Sequence, residues 1–243
     1  MKKISHVWEA RERDLRPCLV VAPGATVAPM RTLLIDASSR ADGSGSAAGV
    51  ATPAPVVEAV LDAAGHDIVR CHTADSPAFP CAGLTADGCP IEAHGPIDVA
   101  ITVRPEGATA PTADEAGATC AIRAGIPLVV LGGAEEPYAP WAASASSTDD
   151  LPDAVDRAIA QLADRRAEPL RAEVRRVLAA ECVDAGAIDV QVQRDGDTAH
   201  ITIRTELPVN EGLANVLATR VHAVDQTGSW PTTKVGVSVG RLA

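Results

Sequence analysis

Three cysteines and a histidine fall in one segment, Cys71-His72 followed by Cys81 and Cys89. Thiolates beside an imidazole suit Zn²⁺, which takes S and N ligands in a tetrahedron. Zn²⁺ is accordingly the one cofactor these residues suggest, with Cys120 as an extra candidate ligand. No pair has the C-x-x-C spacing that is the strong form of a zinc signal. Cysteine is also a good small hydrophobe, so buried or redox-responsive thiols are the competing reading. A Cys81–Cys89 disulfide is a third outcome, which a reducing compartment disfavours. The loop runs on to Pro96, long for one without structure of its own, and such loops are functional or disordered.

A second group of polar residues is defined by position. Asp36, Ser38, Ser39 and Arg40 follow an apolar run; Cys71 and His72 follow the next; Arg104 follows a third; Gly132 and Gly133 follow a fourth. If those runs are parallel strands, all of these residues stand beyond the carboxyl ends, where open α/β sheets bind ligands. The Gly43–Gly49 stretch invites comparison with a phosphate loop, but no Lys follows it and it lies several residues past its strand. A flexible loop is the expectation there. Ser, His and Asp are all present without a Gly-x-Ser-x-Gly elbow. His66 falls in a turn, His200 on a polar sheet face and His222 on an outer helix face, so none is assigned catalysis. The five aromatics are Trp8, Phe79, Tyr138, Trp141 and Trp230. Phe79, Tyr138 and Trp141 are expected in loops at one edge, either closing a small core or forming a lid or docking patch.

The elements that would position these residues follow from hydrophobic periodicity. Residues 1–29 fit no clear element; Leu19-Val20-Val21 could add an edge strand, and Met30 is an alternative start. Strands are expected at Thr32–Asp36, Asp67–Cys71, Asp98–Val103, Pro127–Leu131 and Ala142–Ser146. A helix opening at Pro55 carries Val56, Val57, Val60 and Leu61, and Thr112–Ala124 forms another. Asp149 and Asp150 cap a third helix with Leu151, Val155, Ile159 and Leu162 inward. This alternation predicts a doubly wound parallel α/β sheet over residues 30–166.

Pro169 is expected to break the helix and mark a boundary. Beyond it, Leu170, Val174, Val177, Leu178 and Cys182 make one helical stripe. The period then switches to two in 188–193 and 199–204, around the hairpin signal Asp195-Gly196. A helix capped by Asn210 and a closing Val235, Val237, Val239 strand complete an α-β-β-α-β order over residues 168–243. Three antiparallel-type strands with helices on one face are expected, leaving Gln191, Gln193, His200, Thr202, Arg204 and Lys234 on the other.

The formal net charge of -11 opposes binding to nucleic-acid phosphates or anionic lipid. The local run Arg165, Arg166, Arg171, Arg175, Arg176 is interleaved with Asp164, Glu168 and Glu173 and is expected as a solvated helix face. No stretch approaches the ~20 apolar residues of a membrane span. The charged start after Met1 is no signal-peptide core, which predicts a cytoplasmic protein.

Leu33-Leu34-Ile35-Asp36, Ala63-Ala64-Gly65-His66-Asp67-Ile68-Val69, Ile97-Asp98-Val99-Ala100-Ile101 and Ile126–Leu131 resemble the receiver domain of response regulators. Other flavodoxin-like domains, cobalamin-binding ones included, would show much the same, though the Asp-x-His-x-x-Gly motif of the latter is not present. The resemblance implies an acid pair, a phosphorylatable Asp, a hydroxyl and a Lys at successive strand ends. Here Ala37 follows Asp36, the third strand ends Thr102-Val103-Arg104, Gly132 and Gly133 follow the fourth, and no Lys ends the fifth. That makes a pseudo-receiver without a Mg²⁺ site. The C-terminal element order, closing on Val235-Gly236-Val237-Ser238-Val239, is similar to the alkaline-shock-protein family and to the cytoplasmic dimerisation domain of cation-efflux transporters. Both imply self-association or partner binding. The leading expectation is a non-catalytic regulatory or adaptor protein. The alternatives are a zinc- or thiol-dependent protein using Cys71, His72, Cys81 and Cys89, and a small enzyme at the strand edge using Asp36, Ser38, Arg40, Arg104, Tyr138 or Trp141.

Overall fold

The computed structural model describes residues 29–38, 54–72, 81–84, 88–105, 108–132, 137–228 and 234–242. Strands β1 (Arg31–Asp36), β2 (Asp67–Arg70), β3 (Val99–Val103), β4 (Leu128–Leu131) and β5 (Ala142–Ala145) form one sheet in the order 2-1-3-4-5. All four pairings are parallel. Parallel strands are covered on both faces, which is why their sequences are nearly unbroken apolar runs. Leu34, Ile101, Val129 and Leu131 face α1 (Ala54–Ala63) and the first half of α4 (Leu151–Ala180). Leu33, Ile35, Ala100 and Val130 face α2 (Pro90–Ala93) and α3 (Ala116–Arg123).

Two helical stripes differ in detail from expectation. In α1 the buried residues are Ala54, Val57 and Leu61, while Val56 and Val60 are exposed. In α4 small residues do the packing, with Leu151, Ala154, Val155 and Ala158 buried and Ile159 exposed. A close approach of helix to sheet favours Ala at the contact.

Pro169 does not break α4, which runs continuously for 30 residues. A mid-helix proline costs about 3 kcal/mol through its missing N–H and its ring. Packing outweighs this, because Ala167, Leu170, Val174, Val177 and Leu178 are all buried in the C-terminal core. Cys182 lies past the helix end, exposed and at φ 53, rather than on the buried stripe.

The second sheet holds β6 (Ile188–Asp195), β7 (Thr198–Thr205) and β8 (Lys234–Arg241) in the order 6-7-8. The hairpin β6–β7 is antiparallel, but β7 and β8 are parallel, so the sheet is mixed rather than antiparallel. The reason is α5 (Glu211–Asp225), a crossover that carries the chain back before β8 begins. Val190, Ile201 and Ile203 face α4 and α5, whereas Gln191, Gln193, His200 and Lys234 are exposed on the opposite face.

The basic run on α4 is not uniformly solvated. Arg166 is buried and donates Nε and Nη2 to the two Asp225 oxygens at 2.7 Å each, clamping α4 to α5. Two helical turns further on, Glu173 accepts from Arg176 at 2.7 Å and from Arg220 at 2.9 Å. The Arg176 hydrogen bond, then that of Arg220, holds the Glu173 carboxyl down to about 2 against the opposing cost of burial. A depressed carboxyl contributes stability above its ordinary value near 4.5, and that contribution is lost as pH falls through about 2. Glu173→Gln therefore melts below the parent protein near neutral pH, and the gap in Tm closes as the pH is lowered towards 2. Thermal melts of both proteins across that range check this; a gap that stays constant in acid contradicts it.

Candidate functional site

With strand order 2-1-3-4-5, successive connections diverge between β1 and β3: α1 packs on one face and α3 on the other. A crevice at such a point is where a ligand would enter. Here the strand ends stay paired beyond the sheet. Ala37 N–H donates to Val103 O at 2.9 Å, Arg104 N–H to Leu131 O at 2.9 Å and Gly132 N–H to Ala145 O at 3.2 Å. Gly132 sits at φ +71, and a Cβ there would stand 3.0 Å from Arg104 O. Only glycine allows the β3 and β4 ends to close together in this way.

Arg104, the residue that follows β3, has a buried side chain. It is 1% exposed, with Nε 2.9 Å from Glu115 Oε2 and Nη2 donating to Ala110 O at 3.0 Å. Its guanidinium lies 5.6 Å from the centroid of the Tyr138 ring. Glu115 Oε1 accepts from Thr112 N at 3.1 Å and Thr112 Oγ1 at 3.3 Å, the reciprocal cap that opens a 3-10 turn (Ala113–Glu115) into α3. The Tyr138 phenol bonds Glu115 as well, and its acidity is pushed out to about 12, by burial first and then by the Glu115 carboxylate. Arg104, Thr112, Glu115 and Tyr138 thus make a dry, mutually neutralised network.

Asp36 is engaged locally. Its Oδ1 accepts from Ser38 N at 3.0 Å and Ser38 Oγ at 2.7 Å, which caps the end of β1. His72 Nε2 stands 3.1 Å from the Asp36 backbone O, tying the β1 and β2 ends together. Ser39, Arg40, the Gly43–Gly49 loop, Phe79 and Gly133 lie outside the described residues.

Tyr138 and Trp141 belong to one turn before β5, in which Trp141 N–H donates to Tyr138 O at 2.8 Å. Because β5 is parallel to β4, the chain after β4 must cross back over the sheet before β5 can start. Tyr138 is buried on that return path, and Trp141 emerges at the amino end of β5, 45% exposed beside Gly125, Leu162 and Arg165. Of the two described rings, Tyr138 is therefore buried and Trp141 exposed.

The expected zinc residues do converge. Cys71, Cys81, Cys89, Cys120, His72 and Gly117 line one cavity of about 30 Å³, room for a water molecule. Among the described residues, however, no group of three or more His, Cys, Asp and Glu side chains is placed to hold a metal ion. Cys71 is packed hard: a Cβ on Gly117 would stand 2.6 Å from its Sγ and 3.0 Å from Ile35 Cγ1. Burial, then the neighbouring Cys81, Cys120 and Cys89, pushes the Cys71 thiol up to about 12.

Glu115 and Thr112 were not among the expected site residues. The signal was Thr112-Ala113-Asp114-Glu115, the T-x-x-E pattern that opens a helix. The pattern marks a cap; that its glutamate would also receive Arg104 depends on strand order. No protein-family model and no curated protein matches the chain. No described helix is long and apolar enough to cross a membrane.

Proposed function

We propose that this chain is a non-catalytic regulatory or adaptor protein: a flavodoxin-type, pseudo-receiver sheet with a closed edge, joined to a small sheet that associates with a second copy. The observation that carries the reading is the buried Arg104–Glu115 pair just past the end of β3, the strand end where the resemblance to a receiver calls for a phosphorylatable Asp. A buried arginine at the end of β3 supplies neither a phosphoacceptor nor a cation ligand. Asp36, the acid at the end of β1, spends one oxygen on Ser38 and has no acidic neighbour in sequence.

Association is supported by the outer face of the second sheet. Among the described residues Gln191, Gln193 and His200 stand exposed there, and Ser238 Oγ reaches Thr202 Oγ1 at 3.4 Å without a covering element. The adjoining edge, β8, reads Val-Gly-Val-Ser-Val-Gly between its terminal basic residues. Such an edge has no proline or inward charge to block pairing with another strand.

The test uses the full chain. Incubation with acetyl phosphate and Mg²⁺ is expected to give no hydroxylamine-sensitive acyl phosphate. Sedimentation equilibrium is expected to give a dimer, which His200→Asp combined with Ser238→Asp converts to monomer by placing like charges across the interface. A stable acyl phosphate overturns the pseudo-receiver half of the reading. A parent protein that stays monomeric at high concentration overturns the self-association half.

A further inference from the structure

We propose that Cys81 and Cys89 are a redox-responsive dithiol, closed to an intramolecular disulfide by a low-molecular-weight disulfide. This does not depend on the adaptor reading. Cys71, Cys81, Cys89 and Cys120 share one small cavity although they come from separate chain segments, and all are free thiols. With no group of three or more metal-ligating side chains among the described residues, pairwise thiol chemistry is what this cluster can perform.

Geometry selects the pair. Cys81 begins a 3-10 turn, with Leu84 N–H donating to its carbonyl at 2.8 Å, and Cys89 begins α2, with Ala93 N–H donating to its carbonyl at 2.8 Å. Gly88, at φ +75, turns the chain back just before Cys89. The two residues then bracket Gly83: the point where its Cβ would stand is 3.6 Å from Cys81 Sγ and 3.2 Å from Cys89 Cβ. Both cysteines therefore lie beside the same point, where Gly83 contributes no side chain. A disulfide needs Cβ atoms about 3.5–4.5 Å apart, a separation a short loop can reach without moving the sheet. Both cysteines are half-buried, open enough to meet a small reagent. Cys71 is the poor competitor, wedged against Gly117 and Ile35.

The chemistry balances in two steps. One thiolate of the pair attacks a sulfur of the small disulfide, forming a mixed disulfide and expelling one small thiolate. The second thiolate then attacks the protein sulfur of that mixed disulfide, forming Cys81–Cys89 and expelling the other small thiolate. The protein loses two electrons and two protons, and the small disulfide becomes two thiols. Closure shortens the approach to α2, whose Ile91 packs on the same core as Ile35, and the shared cavity is bordered by His72 at the Asp36 carbonyl. The redox state is thereby felt at the sheet edge.

The experiment titrates the native full-length protein with oxidised glutathione, followed by thiol counting and non-reducing peptide mapping. Of six thiols, two are expected to disappear and to return with dithiothreitol, and the linked peptides are expected to contain Cys81 and Cys89. Cys81→Ser and Cys89→Ser should each abolish the two-thiol loss, leaving at most a single glutathione adduct. Gly83→Ala places a methyl between the pair and should slow closure while leaving the fold intact. Parent-protein mapping that finds Cys71 or Cys120 in the bond, or glutathione adducts with Cys81 and Cys89 unlinked, overturns the proposal without recourse to any variant.

Discussion

Replacing Arg104 with methionine is expected to lower the free energy of unfolding by about 3–5 kcal/mol, the cost of removing one partner from a buried ion pair. Both side chains of the Arg104–Glu115 pair are 0% exposed, so Glu115 would be left charged, dry and unpaired. The Thr112 N–H and hydroxyl partly stabilise its Oε1, but Oε2 faces the vacated guanidinium. Adding Glu115→Gln to Arg104→Met removes the stranded charge and keeps an acceptor for Thr112. The double variant should therefore recover a large part of the loss, a coupling that marks interacting neighbours. Urea unfolding of the parent, both singles and the double checks this. A single-variant loss below about 1 kcal/mol, the range of a solvent-exposed pair, would mean that the edge is not sealed as described.

Asp225→Ala is expected to cost a similar ~3–5 kcal/mol, for the same reason, in the C-terminal sheet. Arg166 reaches Asp225 through two hydrogen bonds of 2.7 Å, with the two side chains 5% and 2% exposed. Removal leaves an arginine that cannot neutralise itself, because guanidinium keeps its proton. The effect should be nearly independent of salt, unlike that of the Glu173 cluster, whose arginines are about half exposed (Arg176 56%, Arg220 52%). Hydrogen exchange locates the damage: amides of Ile201, Ile203 and Val221 should lose protection before those of Ile101 and Val129, which belong to the other core. Equal loss in both cores would show that α4 transmits the strain along its length.

The two ion pairs also explain what was legible beforehand. The apolar runs at β1, β3 and β4 and the period-two runs at β6 and β7 were readable because burial on one face or two leaves its own spacing in the chain. The Asn210 cap was readable for the same local reason, and Asn210 Oδ1 does accept from Leu213 N–H at 2.9 Å; Asp150 stands at the start of α4 without a side-chain cap hydrogen bond, accepting from Ser146 instead. Arg166 looked like its neighbours Arg165 and Arg171, since nothing local distinguishes a buried arginine from a solvated one. Its partner Asp225 is 59 positions away and on another helix.

Local pattern alone determined the eight described strands, the positions of α1, α3 and α5, that the first sheet is parallel, and that thiols gather after β2, while α2 and a 3-10 turn (Ala82–Leu84) fall where a loop to Pro96 was expected. Each of these rests on interactions within a few residues, whose spacing is written directly in the chain. Tertiary structure decided the rest. The crossover of α5 made β8 parallel to β7, and packing in two cores carried α4 through Pro169. The packing of α4 against α5 brought Arg166 to Asp225. All of these depend on which distant segments become neighbours. That is set by the summed burial of whole faces, a quantity no local spacing encodes.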